Sequence, residues 1–192
     1  MKMSRTSDKN YLQSSCLTAA SLMLAPLDEK QAQLISRATG RETDVESLNK
    51  TFENLFCLPG SAQYVPPYEH ILNAADEKNG RFSFGRITPE EALAVQTEFD
   101  RRGFDWRKYV ADMPSVAGLT TADHIGLILL YISGLADEEP ASAETRRFVV
   151  ARLPAVERLE KILTAGGTPY EEALAAALHE ARAAAESFFS QS

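Results

Sequence analysis

The chain has 192 residues, with 27 Asp and Glu against 20 Lys and Arg, giving a formal net charge of −7. That length is expected to form one domain, residues 1–192, with a real hydrophobic core and no need of a metal or disulfide to fold. The acidic balance argues against nucleic acid and anionic membrane surfaces as partners, keeps the protein in solution, and attracts basic partners.

Lys2, Arg5 and Lys9 precede an apolar stretch, but Asp8 and Asn10 interrupt the basic region. Leu17 to Ala25 is short, carries Ser21 and runs into an amphipathic pattern without a clear cleavage site. The reading is a first helix after a frayed tail over residues 1–9, not a secretion signal. No stretch approaches the ~20 apolar residues of a membrane span. The expected location is the cytoplasm, with no stable membrane insertion. Leu12, Cys16, Ala19, Ala20, Met23 and Leu24 share one helical face, and Pro26 ends that helix. A short helix from Asp28 to about Ala38 closes near Gly40. Thr43 or Asp44 caps the next, whose stripe is Val45, Leu48, Phe52, Leu55 and Phe56. Cys16 and Cys57 sit among apolar residues without metal-ligand spacing, and are expected to be buried free thiols.

Pro59 and Gly60 stop that helix, and Pro66-Pro67 aims Tyr68 and Glu69 at the start of another short helix. This is an unusual amount of conformational restriction for a surface connection. From Asp76 to Ile87 polar residues alternate with Phe82 and Phe84. With no partner strand visible, the expectation is a long loop pinned by two rings and a candidate hinge for domain swapping. Both a monomer and a domain-swapped dimer are compatible with it. Thr88-Pro89-Glu90-Glu91 is a strong helix start, with Glu91 at the capping-box position. The helix should carry Ala92, Leu93, Ala94, Val95 and Phe99, and end at Gly103. Asp105 to Val110 adds a turn, followed by an irregular segment containing Met113, Pro114 and Gly118.

Thr120-Thr121-Ala122-Asp123-His124 is a polar capping sequence opening into Ile125-Gly126-Leu127 and an almost wholly apolar run to Ile132. A helix apolar all round belongs in the centre of a bundle. An acidic connection from Ala136 to Pro140 leads to a helix that Pro154 kinks or restarts. After Gly166-Gly167, Thr168-Pro169-Tyr170-Glu171-Glu172 is a second capped start. It leads into an alanine-rich helix with Leu174, Leu178, Ala181, Ala185 and Phe188 on one side. The fold class is all-α, a single helical bundle.

No phosphate loop, zincin motif or nucleophile elbow is present. Gly166-Gly167 offers backbone amides to an anion, though such a pair is more often a turn. Asp123-His124 has the residue types of an acid/base pair, yet adjacent residues at a helix start diverge, and no nucleophile accompanies them. The plainer roles are a helix cap for Asp123, and for Tyr68 and Glu69 a packed ring and a carboxylate at a positive helix end.

Leu55-Phe56 followed by Pro66-Pro67-Tyr68-Glu69, and later Asp123-His124-Ile125-Gly126-Leu127, together resemble the paired signatures of the TorD/DmsD/NarJ family, the all-helical redox-enzyme maturation chaperones. Phe99-Asp100-Arg101-Arg102-Gly103 resembles that family's aromatic-to-glycine helix end. The resemblance covers Leu48 to Leu135. It implies a cytoplasmic, non-enzymatic protein with no cofactor of its own. Such a chaperone binds the N-terminal leader, often a twin-arginine signal, of a molybdopterin-containing oxidoreductase, and holds it back from export until the cofactor is inserted. Carried over by position, the implied leader site is Tyr68, Glu69, Gly103, Asp123 and His124. A leader brings two guanidinium groups and a short apolar stretch, so Glu69 and Asp123 are candidates for the charge and Tyr68, Phe82, Phe84 or Trp106 for the groove. Ile128 and Leu130 stand where the family pattern has glutamates, and Arg152-Leu153-Pro154 replaces its later histidine and tryptophan. Two other readings are an assembly factor docking on a folded, cytoplasm-facing reductase, and a small guanine-nucleotide-binding or hydrolytic protein using Asp123 and His124.

Overall fold

The computed structural model describes residues 5–78, 81–84, 89–111, 120–138 and 141–190. Among these the chain is all-α, with eight α-helices and a single two-stranded hairpin. Helix α1 spans Arg5–Leu24, so it begins inside the stretch read from sequence as a frayed tail. Side chains hold these first turns down: Lys9 pairs with Asp137 at 2.8 Å and Tyr11 donates to Glu180.

Helix α2 (Glu29–Thr39) opens on a reciprocal cap between Asp28 and Gln31 and closes on Gly40, whose φ of 66° only glycine adopts cheaply. Of the two candidate caps for α3 (Val45–Phe52), Asp44 is used, accepting from the Ser47 amide at 2.8 Å. The helix widens into a π-turn, Glu53–Cys57, which buries Leu55, Phe56 and Cys57. Asn49 locks α3 to the connection between α1 and α2, donating to the Leu27 carbonyl at 3.0 Å and accepting from its amide at 2.6 Å. Both cysteines are buried and neither is in a disulfide among the described residues.

After α4 (Glu69–Asn73) comes a correction to the expected loop. Strands β1 (Asp76–Lys78) and β2 (Arg81–Ser83) pair antiparallel, with Glu77 opposite Phe82. Strand β1 is Asp-Glu-Lys, exposed at all three positions, so it carries no apolar alternation to read. It is held from below: on the later helix α7 (Ala143–Thr164), Lys161 pairs with Glu77 at 2.7 Å and Arg158 donates to the Ala75 carbonyl at 2.5 Å.

Helix α5 covers Pro89–Arg101; the cap expected at Thr88, the Glu90 and Glu91 side chains and the irregular 112–119 segment lie outside the described residues. Ala92, Val95 and Phe99 are buried as expected, whereas Leu93 is 58% exposed and Ala94 also faces solvent. Gly103 closes the helix at φ 68°, and Trp106–Tyr109 forms a 3-10 turn. Helix α6 (Ile125–Leu135) is the apolar centre, with every residue from Ile125 to Leu129 buried. It lies against α1 and α7, while α8 (Pro169–Ser190) packs on α1, α7 and α2. Helix α7 runs on through Pro154 instead of restarting there. In α8 it is Phe189 that is buried, with Phe188 half-buried. The Glu171 carboxylate accepts from the Gly167 and Thr168 amides at 3.1 and 3.0 Å, so the anion position suggested by Gly166-Gly167 is filled by the chain itself.

Phe52, Phe56 and Tyr170 meet edge to face at 6.1 to 6.4 Å between centroids, and the Tyr170 hydroxyl donates to the Leu22 carbonyl. This cluster joins α3, α8 and the end of α1. The other tight junction is Gly126, where an added Cβ would meet Leu24 Cγ at 2.9 Å and Met23 Cβ at 3.1 Å. Gly134, on the same helix, has open space around it. Gly126→Ala is therefore expected to destabilise by about 1–3 kcal/mol through overpacking, despite its better helix propensity, while Gly134→Ala stabilises by up to about 1 kcal/mol. Thermal denaturation of the two variants checks the opposite signs.

Candidate functional site

The two restricted stretches of the sequence meet. Val65 N–H donates to the Leu55 carbonyl at 2.8 Å, closing the loop after the π-turn and presenting Pro66-Pro67, both buried. Proline has no N–H, but the Pro67 carbonyl accepts from Ile125 N–H at 2.8 Å. Glu69 N–H then donates to the Asp123 carbonyl at 3.0 Å, framing an antiparallel bridge between Tyr68 and His124.

Side chains reinforce the bridge. The Asp123 carboxylate, 1% exposed, accepts from His70 N–H at 3.1 Å and from the Thr121 hydroxyl at 2.6 Å, and contacts His70 Nδ1. Burial alone would raise its pKa, but the hydrogen bonds from His70 and Thr121 outweigh this and hold it below the usual carboxylate value. His124 caps α6 with its ring, Nδ1 accepting from Gly126 N–H at 3.1 Å. Complete burial lowers its pKa to about 4, so the imidazole is neutral and its proton sits on Nε2. That Nε2 has no hydrogen-bond partner among the described residues. The Tyr68 ring stands edge-on to His124 at 5.6 Å, and burial pushes its hydroxyl up to about 12.

Of the predicted residues at the bridge, Tyr68, Asp123 and His124 are buried and only Glu69 reaches solvent. With His70, Asn73, Ala74 and Arg152 it lines an open cleft of about 390 Å³. Its Oε2 lies 3.6 Å from Arg152 Nε, the two side chains being 13% and 15% exposed. Burial raises the Glu69 pKa and the Arg152 charge only partly opposes it. The Arg152 guanidinium lies over the Phe148 ring, 4.3 Å from its centroid.

Gly103 is not part of this arrangement. It closes α5 beside a separate network in which Glu98 accepts from Arg101 and from the Tyr131 hydroxyl at 3.0 Å, and Arg102 donates to Thr145 at 3.1 Å. Tyr131 is six residues along α6 from Ile125, about 9 Å at the helical rise. Of the proposed groove aromatics, Trp106 is buried under the Arg107 guanidinium, and Phe82 lines a different groove with Glu157 and Lys161. Neither Phe82, Phe84 nor Trp106 lines the Glu69 cleft. Ile128 is buried core and Leu130 half-buried, so α6 presents no acid at either position.

Compared with known proteins, the chain matches no family model, no curated protein and no solved structure. Two residues central to the geometry escaped the sequence reading. His70 pairs with a carboxylate 53 residues away, which no spacing rule reveals. Arg152 drew notice only as a departure from a pattern, though a basic residue on an otherwise amphipathic helix face was the available signal. The cleft offers a carboxylate, an imidazole held by a second carboxylate, an amide and a guanidinium, with no hydroxyl or thiol in its lining. That set suits recognition of a cationic, planar group more than covalent chemistry.

The sign of the pH dependence follows from His124. Its folded pKa of about 4 lies below the unfolded value of ~6.5, so the unfolded chain protonates first and stability falls as pH drops from about 6.5 to about 4. The loss amounts to about 3 kcal/mol at ~1.36 kcal/mol per pKa unit. Asn at this position keeps an acceptor for Gly126 N–H but does not titrate. Chemical denaturation across that pH window should show the slope in the native protein and a flatter one in His124→Asn; equal slopes would contradict the assignment.

Proposed function

We propose that this chain is a cytoplasmic, non-enzymatic maturation chaperone that binds the N-terminal leader, of the twin-arginine type, of a molybdopterin-containing oxidoreductase. It holds the leader until the client's cofactor is inserted. The observation that carries this reading is Glu69: a carboxylate held in an open cleft by a bridge between the very two stretches that carry the family resemblance. A half-buried carboxylate on rigid backbone is a strong acceptor for a bidentate guanidinium, because little ordering is left to be done on binding. Tyr68, Asp123 and His124 serve as positioning residues, buried behind Glu69 and out of a ligand's reach. The mechanism is linkage: bound leader is removed from the pool available for export, by a factor set by chaperone concentration over Kd. The hydrolytic reading of Asp123 and His124 finds no support, since the Asp123 carboxylate turns to His70 and His124 spends its acceptor on Gly126.

The test is calorimetric titration with a synthetic twin-arginine leader and its Lys-Lys counterpart at two salt concentrations. Micromolar or tighter, salt-sensitive binding that prefers arginine is expected. Glu69→Gln should weaken it by about 1–3 kcal/mol, while Asp123→Asn should act mainly by lowering thermal stability. Equal affinity for both peptides, or none for either, would contradict the proposal.

A further inference from the structure

The ion pair beside the cleft is poorly made. Arg152 Nε lies 3.6 Å from Glu69 Oε2, whereas charge-assisted N–H···O bonds close to ~2.7–2.9 Å. That Nε is buried and has no hydrogen-bond partner among the described residues. The guanidinium has therefore given up water on this edge without gaining a hydrogen bond in return, which makes a half-buried pair weak. On its face it is held by the Phe148 ring at 4.3 Å, a cation–π distance. Two residues on, Pro154 lacks the N–H that would bond the Val150 carbonyl, and Val150 is 53% exposed. The turn of α7 that carries Arg152 thus lacks one helical hydrogen bond. Glu69 and Arg152 both line the open cleft, together with His70, Asn73 and Ala74.

We propose that the Phe148 ring and the Glu69 carboxylate form a guanidinium subsite which Arg152 occupies in the free protein, and which an arginine of a bound peptide takes over by displacing it. The identity of the peptide rests on the leader-binding reading; the subsite does not. A peptide arginine arrives from the cleft, free to set both N–H edges against Glu69, whereas Arg152 reaches it from α7 with its Nε edge too far away. Lysine, a point charge without the planar fork, replaces neither the paired hydrogen bonds nor the ring contact as well. Arg152 then acts as a resident competitor: it keeps the carboxylate compensated when no ligand is present and sets the affinity an incoming arginine must exceed.

Two measurements on the full chain test this. In the first, Arg152→Ala is titrated with the twin-arginine peptide; the expected result is tightening by at least about fivefold over wild type, with a smaller gain for the Lys-Lys peptide. If wild type binds and Arg152→Ala binds equally or more weakly, the competitor role is overturned while the leader reading survives. If neither protein binds the peptide, the leader reading falls and the second measurement alone decides. Guanidinium chloride at low millimolar concentration should raise the melting temperature of Arg152→Ala saturably, by filling the vacated subsite. Sodium chloride at equal ionic strength should not, and neither wild type nor Arg152→Ala/Glu69→Gln should respond. The same response in all three proteins, or in none, overturns the subsite. Should Arg152→Ala fail to fold, Arg152→Gln, which retains most of the side-chain volume, takes its place in both comparisons.

Discussion

A carboxylate buried beside an apolar helix is the constraint on which this molecule turns. An isolated charge at the position of Asp123 would cost several kcal/mol, so it is tolerable only when its oxygens are bonded. Thr121 provides one of those bonds locally, and His70 provides the others only if residues 67–70 lie directly against residues 121–125. The charge therefore specifies the contact. Hydrophobic packing alone would let the connection after α3 settle against α6 in several ways. The Asp123 carboxylate, together with the paired backbone bonds from Glu69 and Ile125, selects one.

From that selection the outward geometry follows. The bridge ends where α4 begins, so the first helical residue, Glu69, is placed at the mouth of the cleft, and α4 packs on α7. Arg152 thereby comes within ion-pair distance, and Arg158 ties the Ala75 carbonyl just beyond α4 to the same helix. The chemistry of the site is divided by depth. Neutral His124, Tyr68 and the compensated Asp123 form a buried floor, and Glu69, its carboxylate pKa raised by burial, lies above it with an imperfect partner. A cation that pairs better with Glu69 than Arg152 does is the ligand our proposal assigns to such a site.

Much of the fold was legible in sequence because helices announce themselves locally. Asp44 and Glu171 act as caps where the residue types predicted, Gly40 and Gly103 close helices in the left-handed region, and the run after His124 is the apolar centre. The hairpin was not legible, because β1 consists of charged residues whose partners are Lys161 and the strand opposite, both remote in character from a buried strand signal. Helix α1 starts earlier than its polar sequence suggests for a similar reason: Lys9 and Tyr11 are held by residues far along the chain. At the bridge, sequence marked the two stretches that meet but treated their polar residues alike. Only the three-dimensional pairing of Asp123 with His70 separates the residues that build the floor from Glu69, and only the fold brings Arg152 to it. Gly103, grouped with them by resemblance, belongs to the Glu98 network at the other end of α6.

The central claim is that an arginine of the leader meets Glu69. A double-mutant cycle measures this directly: wild type and Glu69→Gln are each titrated with the leader and with versions in which one arginine is replaced by citrulline, its neutral isostere. Direct contact predicts a coupling of at least about 1 kcal/mol for one of the two arginines, because removing either charge makes the other removal nearly free. Additive losses at both arginines, with no coupling to Glu69, would contradict it and move the recognition of the leader away from this cleft.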